Sequence, residues 1–300
     1  MSLARALRFA LDSTVMPRSA PNCAAFLVAM IWAADASTAH AQDASAWDKG
    51  LHSAARLIAG AAHKSADGAW LRAGLEIKLD RGWHTYWRYP GDSGVPPTFD
   101  FADSENVKSA TVLWPAPKPF LDGTGGHSIG YFGDVVFPLQ IIAVDATKPS
   151  WLHAKLGYAV CSELCLPAEA SLQLALSGEG GVQEVLLVAA EARVPRHVPL
   201  GAGSGLAILS VHRETANGHE RVVVDVAAPD GVPVDLLAEG PTPNWALPLP
   251  EPSPGGGPGV RRFVFDLDGL PLGAHVDGAT LTLTAVAPED SIEVSVNLKP

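Results

Sequence analysis

Apolar positions recur with a period of two over most of this chain. Residues 70–79, WLRAGLEIKL, set Leu71, Ala73, Leu75, Ile77 and Leu79 against Arg72, Glu76 and Lys78, the alternation of a strand with one buried face. Residues 82–88, GWHTYWR, alternate aromatics, and the PGDSGVPP run at 90–97 is loop. Further strands are predicted at 107–114, 135–144, 151–160 and 168–176, with turn signals at the spacing of a β-sandwich.

The pattern changes at 182–192. There Val182, Val185, Leu186, Ala189 and Ala192 follow helical spacing with no Gly or Pro, which predicts one helix closing a first domain at 42–195. Clustered Pro and Gly then mark a linker at 196–204. Beyond it, β-like runs at 206–211, 221–226, 262–267, 279–286 and 292–298 are interrupted by a long loop at 241–259 that holds seven Pro and four Gly. The expected fold is all-β: one sandwich, then a second, smaller sandwich at 205–300 acting as spacer or docking surface.

Composition adds a compartment. Arg5, Arg8 and Arg18 precede an apolar run at 23–34, and Ala39, His40 and Ala41 follow it, the order of a secretory signal peptide cleaved after Ala41. The run is too short for a membrane helix, which needs about 20 apolar residues. Removing 1–41 takes away Cys23, three Arg and two Asp, so a net charge of −11 becomes −12. An acidic surface of this kind repels nucleic acid and anionic membranes. Export also places the remaining cysteines, Cys161 and Cys165, where a disulfide persists.

These two cysteines lie in GYAVCSELCLP at 157–167, which reads as strand, turn, strand. Positions i and i+4 can be bridged if the chain reverses at Ser162, Glu163 and Leu164. So small a loop restricts the unfolded chain by about 2 kcal/mol or less. That favours a redox pair, with a structural staple as the alternative. Metal binding is a third reading. Zinc would need His84, His127 or His153 brought alongside, whereas two thiolates suit Cu(I); no cofactor or metal site is assigned.

Around the pair, Glu163 is either a proton relay or a solvated turn residue. Tyr158 and Tyr131 either flank the sulfurs or fill the core. Trp83, Tyr86, Trp87 and Tyr89 either line a partner groove or are core aromatics. Glycine-rich 122–126 lacks the strand-to-helix setting of a phosphate cradle, and no Ser-His-Asp or paired-carboxylate signature stands out.

Four ordered blocks, GWHTYWRYPGDSGVPP at 82–97, WPAP at 114–117, GYFGDVVFPL at 130–139 and GYAVC with CLP at 157–167, resemble the periplasmic N-terminal domain of the DsbD thiol:disulfide interchange proteins, and more closely the ScsB-type branch. The resemblance covers roughly residues 50–195. It implies an immunoglobulin-like sandwich in which Cys161 and Cys165 are the redox-active disulfide. The pair would take electrons from a membrane-embedded donor and pass them to thioredoxin-like periplasmic disulfide proteins. It also implies a second sandwich, which fits 205–300. Neither a multi-span membrane domain nor a thioredoxin-like domain follows within these residues, so the donor would be a separate protein. The enterobacterial type has a longer cysteine spacing and a cap loop bearing an aromatic. The matching stretch here, Asp122 to Gly126, bears none, so either Phe120 or Leu121 shields the pair or the pair is left more exposed. The alternative function is a non-catalytic periplasmic binding or adaptor protein, copper-handling in one version, with structural or metal-binding cysteines.

Overall fold

The computed structural model describes residues 42–299 apart from 66, 67, 124, 217, 268 and 269; the expected signal peptide and Cys23 lie outside them. The first half builds β1 (Asp48–Lys49), β2 (Ser53–Ser65), β3 (Gly68–Leu79), β4 (His84–Gly91), β5 (Thr98–Asp100), β6 (Val107–Val112), β7 (Lys118–Leu121), β8 (His127–Phe132), β9 (Val135–Ala143), β10 (Ser150–Cys161) and β11 (Cys165–Leu176). One sheet runs β1-β2-β3-β9-β6. The facing sheet runs β11-β10-β4-β8-β7, with β5 pairing β10. Their inner faces enclose Leu57, Leu75, Ile77, Trp87, Phe137, Leu139, Leu152 and Leu156, the alternate positions that the period-two pattern predicts.

The single helix among the described residues, α1 (Glu184–Glu191), lies within the predicted 182–192. It covers the outer face of the first sheet, packing Leu187 and Ala190 on Ile58 and Val136. Gly74 makes room for it, since a Cβ there would stand 2.6 Å from Leu187 Cδ2.

The second half builds β12 (Arg196–His197), β13 (Ala207–Ala216), β14 (His219–Ala227), β15 (Asp235–Glu239), β16 (Glu251–Ser253), β17 (Val260–Asp266), β18 (Thr280–Val286) and β19 (Ser291–Asn297). These form the sheets β12-β19-β18-β15 and β13-β14-β17-β16 around Val222, Val224, Phe263, Phe265, Leu281, Leu283 and Val294. The described residues are therefore nearly all β, in sandwich-like pairs of sheets with α1 as their one helix. Two features differ from the sequence pattern. Arg196 and His197, expected in a linker, pair in parallel with Ile292 and Glu293, and the Pro-rich 241–259 contributes the short edge strand β16. Neither has the alternation by which a strand is recognised, because each is an edge held by its neighbour's free backbone groups.

Arg88 joins the two halves. It sits on β4 and donates through Nε to Glu239 Oε1 (2.9 Å) and through Nη2 to Glu239 Oε2 (2.6 Å). A further Nη2 bond reaches Glu293 Oε2. Next to it, Tyr89 donates its hydroxyl to the Leu247 carbonyl (2.6 Å), and Leu237 of β15 is buried in the first core. The carboxylates are largely buried, with Glu239 18 % and Glu293 7 % exposed at the side chain, and the guanidinium is the cation they share, with His197 Nε2 also 3.2 Å from Glu293 Oε1. Arg88→Met is expected to lower the unfolding free energy by about 3–5 kcal/mol in urea titrations, because it strands two buried anions. Adding Glu239→Gln and Glu293→Gln to that variant is expected to recover most of the loss.

Candidate functional site

The β10–β11 hairpin runs in unbroken register from Ser150↔Leu176 to Cys161↔Cys165. Ser162 N–H donates to the Leu164 carbonyl (3.0 Å) and closes the turn. The ladder brings the two cysteine Cα atoms to 4.1 Å, and the sulfurs are joined as a disulfide. Cys161 is buried and Cys165 is exposed.

Strand parity decides what surrounds the pair, because residues opposite one another on neighbouring strands share a face. Cys161 pairs with His84, His84 with Phe132 and Tyr86 with Gly130, and Phe120 with Ser128. Cys161, Ala159, His84, Tyr86, Phe120, Ser128 and Phe132 therefore stand on the outer face of the second sheet. Val160, Tyr158, Thr85, Trp87 and Tyr131 stand on the inner face. Along β10, outward residues from Trp151 to Gly157 reach solvent to varying degrees, yet Ala159 and Cys161 are buried. They are covered by Tyr86 and Phe120.

Tyr86 sits over the disulfide. Its hydroxyl donates to Cys161 Sγ (3.3 Å) and lies 3.5 Å from Cys165 Sγ. Burial, reinforced by the nearby Asp122 charge, raises its pKa, so it remains a protonated donor. Glycines fix its position. A Cβ on Gly94, whose φ is +114°, would stand 2.3 Å from the ring, and one on Gly130 would stand 2.1 Å from the Thr85 carbonyl oxygen.

His84 is buried, with Phe120, Phe132 and Tyr86 rings at 4.7, 5.2 and 5.4 Å. Burial lowers its pKa below 6.5, against the pull of Asp122. Its Nε2 has no hydrogen-bond partner. Asp122 opens the β7–β8 loop. It accepts hydrogen bonds from Ser93 Oγ and from Gly126 N–H (3.0 Å). A groove of about 470 Å³ runs beside the pair, lined among others by Arg81, His84, Phe120, Asp122, Phe132 and Glu163.

The predicted neighbours divide accordingly. Phe120 packs against the cluster holding Cys161, whereas Leu121 is exposed. Asp122 and Glu163 line the groove, and Glu163 is an exposed turn residue. Tyr158 and Tyr131 do not flank the sulfurs. Both point into the core, where Tyr158 bonds Ser53 Oγ (2.7 Å) and Tyr131 donates to the Pro115 carbonyl (2.8 Å). Tyr158 is three residues from Cys161 on one strand, which puts it on the other face. Sequence reasoning named His84 only as a possible zinc ligand and Tyr86 only as one of four aromatics lining a groove or the core, and set neither against the sulfurs. The available signal was the apolar pair Ala159 and Cys161 at outward positions, which requires a cover.

Residues 55–177 match the family model for the N-terminal region of the thiol:disulfide interchange protein DsbD. Among solved structures, the chain is similar to the N-terminal periplasmic domain of ScsB from Proteus mirabilis, at 25 % identity and a TM-score of 0.66, over 86 % of this chain and 98 % of that one. No curated protein matches.

Two outcomes test this geometry. Gly94→Ala is expected to cost about 2–3 kcal/mol from backbone strain and ring displacement, with loss of the Tyr86 contact visible as a changed near-ultraviolet tyrosine signal. The second concerns pH. His84 has a folded pKa below its unfolded value, so as pH falls below 6.5 the unfolded chain takes up a proton that the native imidazole refuses, and stability drops. Denaturation from about pH 7.5 to about pH 5 is expected to show a shallower fall for His84→Phe than for the native protein.

Proposed function

We propose that this protein, whose residues 55–177 form a DsbD N-terminal-like domain with an immunoglobulin-like sandwich, is a periplasmic thiol:disulfide interchange module acting through Cys161 and Cys165. In this reading residues 1–41 are a signal peptide, 42–195 the redox domain, 196–204 the connection and 205–300 a second sandwich. The observation that carries it is a disulfide at the tip of a hairpin with one buried and one exposed cysteine. That asymmetry supports a division of labour.

In the reduced protein, the Cys165 thiolate attacks a sulfur of the partner's disulfide, and a mixed disulfide forms as the partner's other sulfur leaves as thiolate. Cys161, now deprotonated, attacks Cys165 Sγ. The Cys161–Cys165 bond forms, the bond to the partner breaks, and its electron pair leaves with the partner's sulfur. Two electrons have passed to the partner. A membrane-bound dithiol donor restores the reduced pair by the same steps reversed.

The surroundings suit this cycle. The Tyr86 hydroxyl, held as a donor, stabilises a thiolate at either sulfur. Phe120 and Tyr86 cover the Cys161 side, so exchange is directed to Cys165. Exposed Leu121 and Phe132 line the groove beside the hairpin turn and exposed Leu164 adjoins Cys165 in sequence, an apolar surface that favours a protein partner. A staple is disfavoured by the local ladder, which holds the hairpin without the bond.

The decisive experiment is trapping in the periplasm. Cys161→Ala is expected to accumulate mixed disulfides through Cys165, and Cys165→Ala is expected to accumulate far fewer. A purified protein with a reduction potential well below about −300 mV, together with no trapped partner in either variant, would instead identify an inert bridge.

A further inference from the structure

Among the described residues, four side chains carry a buried nitrogen without a hydrogen-bond partner: Trp70, His84, Trp87 and Arg261. Only His84 belongs to a residue paired with a cysteine, opposite Cys161 across the β4–β10 ladder. Side chains so paired have Cβ atoms about 4.5–5.5 Å apart, and both stand on the outer face. An unsatisfied buried nitrogen is destabilising, a cost that a purely structural position would shed by substitution with an apolar ring. Three aromatic rings already surround it.

We infer that His84 is the proton acceptor for Cys161 in the closing step, which rests on the exchange reading above. Cys161 lies under Tyr86 and Phe120, away from the water that would otherwise take its proton. In the mixed disulfide the Cys161 S–H bond breaks and its proton passes to His84 Nε2. The thiolate attacks Cys165 Sγ, and the sulfur bound to Cys165 departs with the electron pair. The imidazolium then returns its proton to the departing thiolate or to solvent through the groove.

The neighbourhood supports this role. Burial favours the neutral imidazole, the form able to accept a proton. The charged and titratable groups around it are Tyr86 on its own strand, Asp122 beyond β7, Glu163 in the hairpin turn and Arg81 before β4. Asp122 stabilises the imidazolium once formed, and Tyr86 donates to the sulfur and leaves Nε2 open. Cys165 is exposed and needs no such acceptor, so the effect is confined to the second step.

The test separates the steps. The reduced protein is mixed with excess oxidised glutathione, quenched in acid, and the mixed disulfide and closed pair are counted by mass spectrometry. His84→Gln is expected to slow closure by about 100-fold at neutral pH and to accumulate the Cys165–glutathione adduct. Adduct formation, measured in a Cys161→Ser background, is expected to be unchanged. Closure in the native protein is expected to rise with pH through the imidazole range and then level, whereas in His84→Gln it rises only toward the thiol range, at about pH 8.5. Closure at the native rate with the native pH profile in His84→Gln overturns the assignment while leaving the exchange reading intact. If His84→Gln does not fold, a native profile without a limb in the imidazole range overturns it equally. A native protein that forms neither adduct nor closed pair with oxidised glutathione or with an oxidised thioredoxin-like protein overturns both.

Discussion

One cross-strand pair, Cys161 opposite His84, fixes everything near the sulfurs. It is where the β10–β11 hairpin meets the centre of its sheet, and four residues back along β10, from Gly157 to Lys155, β5 takes over as the partner. A slip of one residue there would exchange the two faces. Cys161 would then enter the core among Trp87 and Leu152, and Val160 would face the groove. The packing of the sandwich core is therefore what holds the sulfur outward, since each buried apolar residue on β10 resists the slip.

This explains what was legible beforehand and what was not. The alternation along β3, β9 and β10 revealed the strands, and the short spacing of Cys161 and Cys165 revealed the hairpin, because both are local. The cover over the sulfurs was not legible. Tyr86 and His84 lie more than seventy residues from Cys161 along the chain, and only the sheet order brings them alongside. The aromatics of β4 alternate, so reading them as a group merged two opposite roles: Trp87 inside, Tyr86 against the disulfide. Tyr158 and Tyr131 looked like flanking residues for the reverse reason, closeness in sequence, and parity sends them inward. Phe120 in place of a loop aromatic was recognisable as a choice between neighbours, and pairing with Ser128 decides it.

The second sandwich is tied to the same strand. Arg88 shares a face with Tyr86 and lies two residues along β4, so the ion cluster with Glu239 and Glu293 holds the strand beside the site. Trp87 between them fills the first core, and the Arg88 guanidinium lies 4.4 Å above its ring. One short strand thus carries a core anchor, a junction and the cover of the disulfide. Such crowding accounts for its irregular pairing with β8, which breaks between Tyr86 and Gly91.

The ladder from Ser150↔Leu176 to Cys161↔Cys165 has a kinetic meaning as well. Its backbone hydrogen bonds do not depend on the sulfur–sulfur link, so the two thiols remain neighbours after reduction. Their effective molarity toward one another is set by the hairpin rather than by a search through loose conformations. In the proposed exchange a covalent encounter at Cys165 is consequently brief by construction, because the thiol that ends it is already in place when it begins.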